Sequence, residues 1–91
     1  MGASAHCDFT MSTTPEARCQ ERLDTIDAAV FKQACTASKG TAGDGACPTA
    51  SRVGGCFLGK QGDGSSVNDW YYPPKTKDDA MHDCSGTFLN P

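Results

Sequence analysis

Thr13-Thr14-Pro15-Glu16-Ala17-Arg18-Cys19-Gln20-Glu21-Arg22-Leu23 is the stretch on which the fold turns. Thr13 sits where an N-cap would, Pro15 falls early in the first turn where its missing N–H costs nothing, and Glu16 is placed for a capping box with Thr13. Beyond it Cys19, Leu23, Ile26 and Val30 recur at helical spacing as one apolar stripe, while Arg18, Glu21, Arg22 and Asp24 form a wet side. The spacing predicts a helix facing the core. Continued to Ser38 it would run about 24 residues and ~36 Å, long for a small domain. The alternative is a break near Asp24 to Asp27, with Thr25-Ile26-Asp27 capping a second helix whose inner face is Ala28, Phe31 and Cys35. Gly40 would end it as a C' glycine.

Outward from this segment, Thr41-Ala42-Gly43-Asp44-Gly45 has the composition of an exposed loop, pinned by Cys47-Pro48. Arg52 to Leu58 and Val67 to Tyr72 are strand-like, and the turn-rich run Gly59 to Ser66, centred on Gly62-Asp63-Gly64, joins them as a hairpin. Pro73-Pro74 stops the second strand. Thr76 caps a short helix with Asp78 and Asp79 near the positive end of its dipole and Ala80, Met81 and Cys84 inside. Gly86 ends that helix, and Thr87-Phe88-Leu89 adds a third strand beside the hairpin. The expected fold class is therefore α+β: a small stapled domain with an N-terminal helix, whole or broken, a β-hairpin, a short second helix and a final short strand.

The chain has 91 residues and six cysteines, Cys7, Cys19, Cys35, Cys47, Cys56 and Cys84. The number is even and the spacing wide, with no C-x-x-C and no paired Cys/His spacing of a zinc or haem module, so the sulfurs read as three structural disulfides. A core this small leaves thin stability, and staples at about 2 to 4 kcal/mol each supply much of a total of roughly 5 to 15 kcal/mol. Oxidised cysteines imply export: a secreted, periplasmic or cell-surface protein whose signal peptide has been removed. Residues 1–6, beginning Met1-Gly2-Ala3-Ser4, then read as an expression leader or disordered N-terminus, and residues 7–91 as a single domain. The rival, an acylated Cys7 of a lipoprotein, meets a poor lipobox in Ser4-Ala5-His6 and would leave five thiols to pair. No apolar run approaches the ~20 residues needed to span a bilayer. Net charge is −3, with eight scattered basic residues, which argues against a nucleic-acid partner.

Cys35, Gly40-Thr41, Ala46-Cys47-Pro48, Arg52-Val53-Gly54-Gly55-Cys56, Trp70-Tyr71-Tyr72-Pro73, Asp79-Ala80, Cys84 and Gly86-Thr87-Phe88 together form an ordered layout. Over about residues 28–91 it resembles small exported or lipid-anchored proteins of myxobacteria and related soil bacteria, whose activity is mostly unknown. The resemblance carries no catalytic residue over. It leaves Cys7 and Cys19 uncovered, an extra pair expected to tie the N-terminal segment to the first helix. Six cysteines permit fifteen pairings. Proximity suggests Cys7 with Cys19, Cys35 with Cys47 and Cys56 with Cys84, although exchanges among the last four are equally sensible.

Candidate sites each have a plainer reading. His82-Asp83-Cys84 holds the residue types of a nucleophile site, but neighbours on a helix diverge and an oxidised cysteine is inert. There is no G-x-S-x-G elbow. Asp63, Asp69, Asp78, Asp79 and Asp83 invite calcium, yet Gly62-Asp63-Gly64 lacks the order of a calcium loop, and a zinc site at His6 and His82 is equally thin. No metal and no cofactor is expected. Trp70, Tyr71 and Tyr72 are the best surface candidates: alternation puts Trp70 and Tyr72 on one face, assigned to the core, and Tyr71 outside, while the reverse would expose a Trp/Tyr binding anchor. The chain thus reads as a non-enzymatic exported bacterial interaction or structural module. It would bind a protein, its own copies included, through a strand edge or aromatic hairpin face. The alternative is a secreted effector or enzyme inhibitor presenting a disulfide-anchored loop, Gly40 to Ala46 or Gly59 to Ser66.

Overall fold

The computed structural model describes residues 3–10, 17–23, 28–60 and 66–91. The predicted cap at Thr13 to Glu16, the helix break at Asp24 to Asp27 and the turn centre Gly62-Asp63-Gly64 lie outside them. Among the described residues, six strands and two helices follow in the order β1 (Ala3–Asp8), β2 (Arg18–Leu23), α1 (Ala28–Ala37), β3 (Thr41–Asp44), β4 (Gly54–Lys60), β5 (Ser66–Tyr71), α2 (Lys77–Asp83) and β6 (Thr87–Leu89). The strands make one sheet in the order β3-β1-β2-β5-β4-β6, and every pairing is antiparallel.

This overturns the helix-first α+β expectation: the domain is mostly a six-stranded antiparallel sheet. Arg18–Leu23, read as helix, is a central strand hydrogen-bonded to β1 on one side and β5 on the other. Helix propensity separates ordinary residues by only about 0.7 kcal/mol each, less than two ladders of backbone bonds contribute together. The burial of β2 has period two, with Cys19 and Glu21 inside on one face. Val30, the last member of the predicted stripe, is 59% exposed. Only the second half of the predicted helix forms, as α1, with Cys35 its buried residue. It ends at Ala37, and Lys39 just beyond, with a φ of 69°, takes the left-handed turn assigned to Gly40. Gly40 is needed for space, since a Cβ there would lie 2.4 Å from Cys7 Sγ.

Two further corrections concern the ends of the sheet. The Gly-rich segment expected as an exposed loop is edge strand β3, paired with β1. Residues 3–6, expected to stand outside the domain, belong to β1. The hairpin is present as β4–β5, with β6 beside β4. Helix α2 has a full capping box: Asp79 N donates to Thr76 Oγ1 (3.2 Å) and Thr76 N to Asp79 Oδ2 (2.9 Å). Ala80 faces inward, but Met81, placed on the inner face from sequence, is exposed.

Directly opposed residues share a face, so the registers define both sides of the sheet. Ala42, Cys7, Gln20, Asp69, Cys56 and Phe88 form one row across all six strands. Both helices cover that side: α1 packs over β1 and β3, α2 over β4. The next row, Gly43, His6, Glu21, Asn68, Phe57 and Thr87, faces the other way.

The disulfides follow from this geometry. Cys7 bonds Cys35, Cys19 bonds Cys47 and Cys56 bonds Cys84, each across a separation of 28 residues. The expected Cys7–Cys19 and Cys35–Cys47 pairs are thus replaced by two interleaved ones. Cys19 stands opposite Asp8 and Cys7 opposite Gln20, so Cys7 and Cys19 point to opposite faces of the sheet and cannot meet. Cys35 is on the helical side and Cys47 on the other.

Each face has its own core. Trp70 and Tyr72 pack with Cys19, Cys47 and Leu89, and Tyr71 packs with Cys56, Ala80, Val53, Cys84 and Phe88. Gly55, opposite Trp70 on β4, makes room for the indole: a Cβ there would lie 2.4 Å from Trp70 Cε3. The Arg52 guanidinium stacks on the same ring, 3.6 Å from its centroid. Gly55→Ala is therefore expected to cost about 1–3 kcal/mol by forcing the indole to move. A urea midpoint unchanged from wild type would contradict this packing.

Candidate functional site

Trp70, Tyr71 and Tyr72 are all buried, at 7%, 7% and 8% exposure. Tyr71 was expected outside. Because α2 covers the second face, alternation along β5 sends side chains into one core or the other rather than into water. The aromatic hairpin face therefore offers no exposed anchor. The residue that sequence reading missed is Glu21, assigned to the wet side of a helix but 6% exposed. Trp70 Nε1 donates to its Oε1 (2.7 Å), Asn68 Nδ2 to the same oxygen (3.0 Å) and Cys47 N to Oε2 (2.9 Å). No local pattern marks it, since its donors come from residues 26 to 49 positions away.

These contacts clamp the segment Ala46 to Val53 onto the open face of the sheet. At its start stand the Cys19–Cys47 bond, the Cys47 N–H on Glu21, and Pro48, whose carbonyl accepts from the Tyr72 hydroxyl at 2.6 Å. At its end Arg52 lies on Trp70, and Val53 N donates to Tyr71 O at 2.9 Å. Between the clamps Pro48, Thr49, Ala50 and Ser51 are exposed, and Ser51 adopts φ 65°. The result is a short, exposed loop of small residues fixed at both ends.

Burial, then Asp8 and Glu21, opposed by Arg52, pushes the Tyr72 hydroxyl up from 10.0 to about 12. A raised phenol favours the neutral form in the folded state. Its stabilisation is complete below pH 10 and lost as pH rises from 10 toward 12. Tyr71 is also raised, mainly by burial and then by Asp69 and Asp83. A phenolate absorbance titration should show both tyrosines ionising late, with unfolding over the same interval. A midpoint at the ordinary value for both would refute the burial.

The other sequence candidates are dispersed. Cys84 is bonded to Cys56 and is no nucleophile, and the His82 side chain is exposed beside Asp83, with Nδ1 3.7 Å from Oδ1. His6 Nδ1 lies 3.2 Å from the Gly45 carbonyl. Asp63 falls outside the described residues, and Asp79 is occupied in capping. Among the described residues no three His, Cys, Asp or Glu side chains gather as a metal site, and no helix is long and apolar enough to cross a membrane.

On the helical side a cleft of about 490 Å³ lies between α2 and the central strands, lined by Ala17, Arg18, Asp69, Tyr71, Lys75 and Asp83. Lys75 Nζ donates to Asp83 Oδ2 at 2.6 Å, and Arg18 Nη1 is 3.7 Å from Asp69 Oδ1. Lys75 holds the Asp83 carboxyl below its ordinary range, and Asp83 raises Lys75.

Fold and bonds together define a disulfide-stapled antiparallel sheet domain suited to an oxidising compartment. Comparison with known proteins found no matching family model, curated protein or solved structure.

Proposed function

We propose that this chain is an exported, non-enzymatic protein-binding module, a secreted effector or inhibitor that presents the clamped loop Ala46 to Val53 to a partner protein. One observation carries the reading: the loop is fixed at both ends by a disulfide, a buried carboxylate and a stacked arginine, with Thr49, Ala50 and Ser51 left to solvent. A loop already held in one shape loses little entropy on docking, so its contacts convert to affinity. The three disulfides support an extracellular or periplasmic setting. Secretion by a soil bacterium, as the resemblance over residues 28–91 implies, is the form of that setting proposed here.

The other reading, self-association through a strand edge, has β3 and β6 to use, four and three residues long. Asp44 on β3 is also engaged by Lys32. Edges this short resist pairing.

The test is a panel of secreted proteases and glycoside hydrolases assayed with the wild-type protein and with Ala50→Arg. At least one enzyme should be inhibited, and the variant should inhibit at least about tenfold more weakly while keeping the wild-type melting curve. An unaffected panel, or equal inhibition by the variant, would remove the loop from the function.

A further inference from the structure

We propose that the cleft between α2 and the central strands β2 and β5 binds a small zwitterion of amino-acid size, with Arg18 and Lys75 taking its carboxylate and Asp69 and Asp83 its ammonium. The site is distinct from the clamped loop, which lies on the opposite face of the sheet.

The placement follows from register. Arg18 stands directly opposite Tyr71, and Asp69 lies two residues before Tyr71 on the same face of β5. Those three residues form the floor. Lys75, just before α2, and Asp83, at its end, form the wall, with Lys75 Nζ 5.3 Å from the centroid of the Tyr71 ring. Among the described residues, two cations and two anions therefore surround one aromatic residue in a cleft of about 490 Å³. The cavity beneath α1 differs in kind: it is about 130 Å³ and lined largely by Cys7, Phe9, Phe31, Ala34 and Cys35.

The balance of charge selects the ligand class. A simple anion meets Asp69 and Asp83 as well as the two cations, and a simple cation meets the reverse, so neither gains net attraction. A molecule with both charges a few bond lengths apart can satisfy both signs at once. The groups are wet enough to exchange partners yet partly withdrawn from water: the side chains of Arg18 and Lys75 are 32% and 33% exposed, and that of Asp69 14%. Half-exposed ion pairs contribute little net stability, so trading Lys75–Asp83 for Lys75–ligand and Asp83–ligand contacts costs little. Gln20 Nε2, 3.3 Å from Asp69 Oδ1, and the Phe9 ring, 4.3 Å from the Arg18 guanidinium, hold the two floor charges in place. Both carboxylates also act on Tyr71, whose raised phenol remains a neutral donor for a bound carboxylate.

The experiment is an amide NMR titration of the oxidised protein at constant ionic strength with L-alanine, and separately with acetate and with ethylammonium. L-alanine should shift the amides of Arg18, Asp69, Tyr71 and Lys75 saturably, with a Kd on the order of 1 mM or tighter, and each half-ligand should bind at least about tenfold more weakly. Asp69→Asn and Asp83→Asn should each weaken L-alanine binding about tenfold. Asp83 is on the surface, so its variant keeps the test valid if Asp69→Asn fails to fold. Acetate binding as well as L-alanine, linear unsaturable shifts, or undiminished affinity in Asp83→Asn would each overturn the proposal.

Discussion

Replacing Cys19 and Cys47 together by alanine is expected to destabilise the domain by about 3–4 kcal/mol, and full reduction to unfold it. Each disulfide closes a span of 28 residues, for which the loop-closure entropy removed from the unfolded chain amounts to about 3.6 kcal/mol at room temperature. Three such terms approach the whole stability of a small domain, roughly 5 to 15 kcal/mol. The effects will not simply add. Cys7–Cys35 and Cys19–Cys47 interleave, so once one is closed the other restricts a chain already shortened. Cys19–Cys47 also carries the clamped loop, so its loss should loosen Pro48 to Ser51 as well. Circular dichroism during urea unfolding of the Cys19→Ala/Cys47→Ala variant, beside the reduced wild type, measures both. A reduced protein that keeps the oxidised midpoint would show that the sheet stands without its staples.

Glu21→Ala is expected to cost about 4 kcal/mol or more, because it strands three buried donors at once and opens a void. The indole N–H of Trp70, the amide of Asn68 and the Cys47 N–H all lose their acceptor. Asn68 already carries a buried Oδ1 without a hydrogen-bond partner, so the three stranded donors would add to a polar group that is unsatisfied before the substitution. Glu21→Gln separates hydrogen bonding from volume. Its amide keeps one oxygen for Trp70 and Asn68 but sets an N–H₂ against the Cys47 N–H, and a loss of about 1–3 kcal/mol follows. Trp70, the single tryptophan, reports both by fluorescence. A Glu21→Ala midpoint close to wild type would mean that water reaches those donors freely.

Much of the C-terminal half could be read locally. The α2 capping box is spelled by Thr76 and Asp79 three residues apart, and the β4–β5 hairpin by aromatic and β-branched runs flanking a glycine-rich turn. The N-terminal half could not. Arg18-Cys19-Gln20-Glu21-Arg22-Leu23 fits an amphipathic helix as well as a strand, and Thr41-Ala42-Gly43-Asp44 has a loop's composition and a strand's partner. For the sites, alternation separated Tyr71 from Trp70 and Tyr72, but no residue of β5 announces that a helix will cover its second face.

Taken alone, the amino-acid sequence determined three things about this protein: an even set of cysteines too widely spaced for a metal module, one small domain, and the short elements whose caps and turns are local. The tertiary structure decided which cysteines meet, that β2 is a strand, and that Glu21 is buried. The physical reason is the range of the interactions. Caps and turns act across three or four residues, whereas the β2 ladders, the Cys19–Cys47 bond and the donors on Glu21 join positions 11 to 53 residues apart, and their combined strength overrides a helix preference of a few tenths of a kcal/mol per residue.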